Sequence, residues 1–250
     1  MTKEDLYAPI REKYHNLQNA LENSDLQHII ELTLEVHGMV HPRLVSGINE
    51  KTIADYVLDF MLQSNNKEIL VSRMHCEISL DWAGTDVVPM CWQFWHTYRI
   101  EDLVSNFLIA DKNQIFDKEW QKRMNSPITD TGNAIESQEA ISFGKIMNVE
   151  ALYEYILAVS RNTREIIANL TIDQLQQKPS KEQLDCIMNA GGLTSDKRSM
   201  WLLDYWGGLT VSGMILTPLT DHHMMHLPPC LDVIIHDDVC EENMSKNTKL

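Results

Sequence analysis

Apolar residues recur along this chain at helical spacing. Leu26, Ile29, Ile30, Thr33, His37 and Val40 step by three and four, so they share one face of a helix. Ser24-Asp-Leu-Gln27 has capping-box spacing and predicts that the helix starts there. Pro42 and Gly47 predict its end. Glu50 to Leu62 repeats the pattern, with Ile53, Tyr56, Val57, Phe60 and Met61 in phase. Residues 63–89 are mixed. Ile69-Leu-Val-Ser has strand character without an alternating partner, and Asp81 to Asp86 reads as loop.

The clearest helical stretch follows. Pro89 suits a first turn, and from Met90 to Ala110 the residues Trp92, His96, Ile100, Leu103, Val104 and Phe107 form an apolar stripe. Arg99, Asp102 and Asn106 fall off it, so an amphipathic helix is expected. Residues 117–147 read as polar and irregular around a turn-rich core, Asn125-Ser-Pro-Ile-Thr-Asp-Thr-Gly. From Asn148 another helix begins, with Leu152, Ile156, Val159, Thr163, Ile166, Ile167 and Leu170 on its buried face. Thr171-Ile-Asp-Gln174 and Ser180-Lys-Glu-Gln183 are further capping boxes, each heading a short helix. Gly191-Gly192 breaks the chain. A last helical region is expected from about Asp196 to Leu227, kinked or restarted at Pro218 with Thr217 as cap and ended by Pro228-Pro229. The expected fold is therefore all-α: an antiparallel four-helix bundle with short accessory helices, one domain over residues 1–240, and a flexible tail over 241–250.

Composition narrows the function classes. The 250 residues carry a net charge of −15, a field that repels nucleic acid and anionic membranes. The five cysteines form no CxxC pair and are odd in number, which argues against a disulfide framework and fits a reducing cytoplasm. The N-terminus is charged from its third residue, unlike a secretory signal, and the longest uncharged stretch, Tyr205 to Thr220, is too short for a membrane span. No GxSxG, GxGxxG or P-loop motif occurs.

Histidine is where the chain concentrates its chemistry. Three of ten lie in Thr220-Asp-His-His-Met-Met-His-Leu-Pro-Pro229. His222 and His226 are four apart, which puts two imidazoles on one helix face, where they can meet a single metal ion. His223 and His226, three apart, offer an alternative pair. His223 points about 100° away from His222, so the four-residue pair is preferred. His96, in the middle of an apolar stripe, is the best third ligand. A buried imidazole needs a partner, and one divalent ion would serve all three. Such a set with an open position suits zinc, nickel, iron or copper. His37 and His41 repeat the four-residue spacing; His37 is read as a pocket residue facing the metal, or as a competing ligand, and His41 as looser because Pro42 follows. His15, His28, His75 and His236 are read as surface. Glu101 and Asp102 point away from His96 on a simple wheel, so no general base is assigned. Met224 and Met225 are read as core or pocket wall.

The block Cys91-Trp-Gln-Phe-Trp-His-Thr-Tyr-Arg-Ile-Glu-Asp102, with Pro218-Leu-Thr-Asp-His-His-Met-Met-His-Leu227 over a hundred residues later, resembles the DinB-like superfamily. The helical rhythm of residues 151–170 also fits, and the likeness covers roughly residues 25–227. It implies a four-helix bundle with a three-histidine divalent metal at one end of a cleft, His96 being the first ligand and His222 and His226 the others. It implies dimers, and either transfer of a low-molecular-weight thiol or metal-dependent hydrolysis. Pro218 and Pro228-Pro229 depart from the pattern and bear on which face the metal meets.

Two functions follow as expectations. In the first, the metal activates water or a small thiol against a small-molecule electrophile held in the cleft. In the second, it is structural, with a fourth protein ligand closing its shell in a non-catalytic binding or stress-related module.

Overall fold

The computed structural model describes residues 3–23, 25–63, 89–231 and 234, and all regular structure among them is helical. No helix among these residues is long and apolar enough to cross a membrane.

Helix α1, Lys3–Asn23, occupies a stretch to which the sequence reading assigns no element. Tyr7, Ile10, Tyr14, Leu17 and Leu21 supply its inward stripe, although Pro9 lies within it. It packs along α2, Leu26–Val40. The α2 cap is Asp25, whose carboxylate accepts the His28 amide at 3.0 Å, one residue beyond the expected Ser24; Ser24 lies outside the described residues. As expected, α2 stops before Pro42, which forces His41 into extended backbone. After α3, Arg43–Ser46, and α4, Ile53–Gln63, comes a stretch outside the described residues that contains the expected strand-like 69–72 and loop 81–86.

Helix α5, Met90–Leu103, is buried along all fourteen residues, which corrects the amphipathic expectation. Its polar face meets protein, not water. The helix continues into a π-helical segment, Val104–Ile109. The stretch expected to be irregular contains two short helices, α6 Lys118–Met124 and α7 Ser137–Ile146. Helix α8, Val149–Ala168, is capped by Asn148 and packs on α5, α2 and α6. The capping boxes at Thr171 and Ser180 head a 3-10 turn, Ile172–Gln176, and α9, Lys181–Asn189, as expected.

The final region is not one helix. Helix α10, Lys197–Gly208, ends, and Thr210 caps a new helix, α11, Val211–Leu216. Pro218 neither restarts nor stops this second piece. It sits in a π-helical segment, Thr217–Asp221, where the Thr220 hydroxyl donates to the Ile215 and Leu216 carbonyls, each at 2.8 Å. The chain then runs on as α12, residues 222–231, through both Pro228 and Pro229. Burial of Leu227, Cys230 and Leu231 outweighs the helix-breaking tendency of the two prolines.

Two apolar layers result. One joins Tyr7, Val40, α4, residues 90–98, the first half of α8 and Leu227 to Leu231. The other joins Leu17, Ile29 to Val36, residues 100–109, Ile166, Trp206 and residues 211–219. Between them, at matching levels of α2, α5, α8 and α12, lies a buried polar stratum: His37 and His41, His96 and Glu101, Ser160 and Thr163, His223 and His226. Burying so many polar groups costs stability unless each is partnered. The stratum is therefore the place to look for function.

Candidate metal centre

His96 projects from the middle of α5 and is 3% exposed. Its ring stacks on Trp92, centroids 4.5 Å apart and planes 7° from parallel. Its Nδ1 lies 2.8 Å from the Thr131 carbonyl. A carbonyl only accepts, so Nδ1 carries the proton and the Nε2 lone pair is left for a cation. On α12, the His226 Nδ1 donates to the Gln93 Oε1, which fixes a second ring in the same sense. His222, one turn earlier, has an Nδ1 that is buried and without a partner. The three ring centroids are 4.5–5.0 Å apart, and one ligand atom from each lies within 4.8 Å of the others.

The structure brings together the three histidines that the sequence offers as candidate ligands. The donors are neutral: burial lowers the His96 imidazole to about 4, and burial followed by repulsion from neighbouring imidazoles puts His222 and His226 well below their ordinary range. Lone pairs are therefore available at neutral pH. The partnerless buried nitrogen of His222, two rings already turned by a carbonyl and an amide oxygen, and an all-imidazole donor set fit a divalent transition ion.

The loop that supplies Thr131 is held by a residue that was expected to fall off the stripe, and a second such residue holds the segment before α6. Arg99, fully buried, donates through Nε and Nη2 to the Thr129 carbonyl, both at 3.0 Å. Asp102 accepts the Ile115 and Phe116 amides at 2.7 and 2.9 Å and the Tyr155 hydroxyl at 2.7 Å. Trp92 donates to the Gly132 carbonyl at 3.2 Å, and Gly132, at φ 76°, leaves no room for a Cβ, which would sit 2.6 Å from the indole nitrogen. Arg99 thus ties α5 to the loop that turns His96, and Asp102 ties it to residues 115 and 116 ahead of α6.

His37, expected as a pocket residue or a competing ligand, stands apart from the triad. It is fully buried and stacked on His41 with centroids 3.5 Å apart. His41, expected to be loosely held, is fully buried and pinned by its Nδ1 to the His37 carbonyl at 2.7 Å. Both face Glu101, as does His223, whose ring diverges from that of His222. His223 therefore belongs to a second cluster and not to the first triad. Of the histidines read as surface, His15 and His28 are exposed, and His75 and His236 lie outside the described residues.

A cavity of about 270 Å³ opens beside the triad, lined by His96, His222 and His226 and by Ile100, Trp201, Tyr205, Trp206 and Met225. Trp201 is 46% exposed and Met225 40%, so aromatic and thioether surface stands at its mouth. A larger groove of about 680 Å³, between α1 and residues 221–228, holds none of the clustered histidines.

Gln93, Thr131 and Glu101 take part in these clusters without being among the site residues expected from the sequence. Gln93 precedes His96 by three residues and so shares its side of the helix, a signal that was available. Nothing local marks Thr131, because its part is played by a backbone carbonyl. Set against known protein families the chain finds no match, and no curated protein matches it.

Proposed function

We propose that this chain is a metal-dependent enzyme on a DinB-like four-helix bundle, with α2, α5, α8 and the α11–α12 stretch as its main helices. His96, His222 and His226 would hold one divalent ion, zinc, nickel or iron. The observation that carries the reading is the pre-orientation of two of these rings, by Thr131 and Gln93, with the triad forming part of a cavity wall. Binding side chains fixed before the ion arrives is the usual arrangement at sites that do chemistry.

An ion there would supply Lewis acidity, lowering the pKa of water or of a small thiol. The protein's own residues do the rest. Trp201, Tyr205, Trp206 and Ile100 present an apolar, largely aromatic wall that favours a flat electrophile and sheds water from it. The Thr131 carbonyl holds the proton of His96 on Nδ1, and Gln93 does the same for His226, so neither ring can rotate away from the cavity. Among the described residues no fourth side chain joins the triad, since His37 and His223 face Glu101; this favours an open site over a closed structural one.

The experiment is to load purified protein with Zn²⁺ or Ni²⁺ and mix it with a chlorodinitrobenzene, with and without a small thiol. Conjugate formed only with thiol supports S-transfer; thiol-independent loss of the arene's chloride supports hydrolysis. Neither reaction across an electrophile panel, together with unaltered metal spectra on adding thiol, would contradict catalysis. His96→Ala should abolish either reaction.

A further inference from the structure

A second group of ligand-type side chains lies apart from the triad, and nothing assigned so far uses it. His37 and His41 come from α2, Glu101 from α5 and His223 from α12. All four are fully buried. The His37 Nε2 lies 3.2 Å from the Glu101 Oε1, and the His41 Nε2 lies 2.6 Å from Oε2. The His223 Nε2 is 2.9 Å from the same Oε2. One ligand atom each from His37, His41 and Glu101 lies within 4.8 Å of the others.

With neutral rings, hydrogen bonding does not account for this arrangement. The His41 Nδ1 faces the His37 carbonyl at 2.7 Å, so it must carry the ring's proton. In a neutral His41 the Nε2 then bears a lone pair, aimed at a carboxylate oxygen that also only accepts. Two acceptors then meet at 2.6 Å, both fully buried, unless the ring takes a second proton. The His37 and His223 Nδ1 atoms are buried without partners as well, and the His223 Nε2 makes no hydrogen bond although Oε2 lies 2.9 Å away. A carboxylate facing three imidazole nitrogens is the donor set of a divalent transition ion. The four-residue spacing of His37 and His41 repeats that of His222 and His226.

We propose that His37, His41 and Glu101, with His223 beside them, form a second divalent-metal site, so that the chain binds two transition-metal ions. The two sites share a boundary on α12. Adjacent His222 and His223 turn their rings apart, centroids 6.4 Å from each other, one into each cluster. The second ion is enclosed by α2, α5 and α12 and opens on no cavity among those described, so its part is to neutralise Glu101 and lock the three helices that frame the first site.

The test is metal stoichiometry. Full-length protein is stripped with a chelator, dialysed against Co²⁺ or Zn²⁺ alone, and counted by elemental analysis, with Co²⁺ absorption reporting each environment. Two ions per chain are expected in the unaltered protein. His41→Ala should bind one, with the spectrum of the His96 triad. His226→Ala should also bind one, with the spectrum of the carboxylate-containing site. Glu101→Gln keeps the shape of the side chain and should weaken one of the two ions by on the order of tenfold or more; it serves if His41→Ala loses its helical circular dichroism. A single ion in the unaltered protein, bound equally by His41→Ala and Glu101→Gln, would overturn the second site and leave the first standing. A single ion insensitive to His226→Ala but lost in Glu101→Gln would overturn the first and keep the second.

Discussion

His96 and His226 share a device: one ring nitrogen gives its proton to a fixed oxygen, and the other is left bare. Thr131 provides that oxygen through its backbone, Gln93 through its side chain. Gln93→Leu removes the orienting acceptor without touching a ligand, so metal affinity should fall roughly 10- to 100-fold in a chelator-competition titration while helicity stays. The same residues set a pH dependence. Burial lowers His96 and His223 to about 4, and His37, His41, His222 and His226 shift in the same direction. Their folded values lie below the unfolded value of 6.5, so the unfolded chain takes up protons first. Stability is thus fully present above pH 6.5 and is lost as pH falls from there toward 4. Thermal melts of metal-free protein should show the midpoint dropping across this window, and a flat profile would contradict a neutral imidazole layer.

At the level of elements, α5 and its loop act as one unit. Arg99 joins that loop to the helix that carries His96, and Asp102 joins residues 115 and 116 to it, so Asp102→Ala would strip an anion from a buried network and should cost about 3–5 kcal/mol in a denaturant melt. Gly132→Ala should destabilise by over 1 kcal/mol, because the position has positive φ and abuts Trp92. The π-helical segment Thr217–Asp221 sets the phase of α12 against α11. Deleting one residue there would turn His222 and His226 by about 100° and should abolish binding at the triad. These elements also show what the sequence could tell. The stripe Trp92, His96, Ile100 was legible and so was HxxxH, because both are local periodicities. Burial of Arg99, Glu101 and Asp102 was not, since a wheel shows which residues share a face and not whether a second layer covers the other one. Helix α1 was overlooked for a different reason: its stripe from Tyr7 to Leu21 is regular, but Pro9 and the surrounding charge masked it. The prolines at 228 and 229 misled because the burial that carries α12 past them comes from distant parts of the chain.

Across the whole molecule, a polar stratum divides two apolar layers, and the histidines of α2, α5 and α12 occupy it. A stratum of neutral imidazoles and one carboxylate is poorly satisfied without cations, so the folded chain should gain stability from metal. Binding to the folded form alone adds about 2.7 kcal/mol at a hundredfold excess over the dissociation constant, which differential scanning calorimetry would read as a raised Tm. His226→Ala should lose part of that gain.

The most direct measurement is anomalous diffraction from crystals grown with Zn²⁺ and recorded on either side of the zinc absorption edge. A peak about 2.0–2.1 Å from a ring nitrogen of each of His96, His222 and His226 is the expected result. An absence of density among those three rings, in crystals whose elemental analysis shows bound zinc, would place the ion elsewhere and contradict the account.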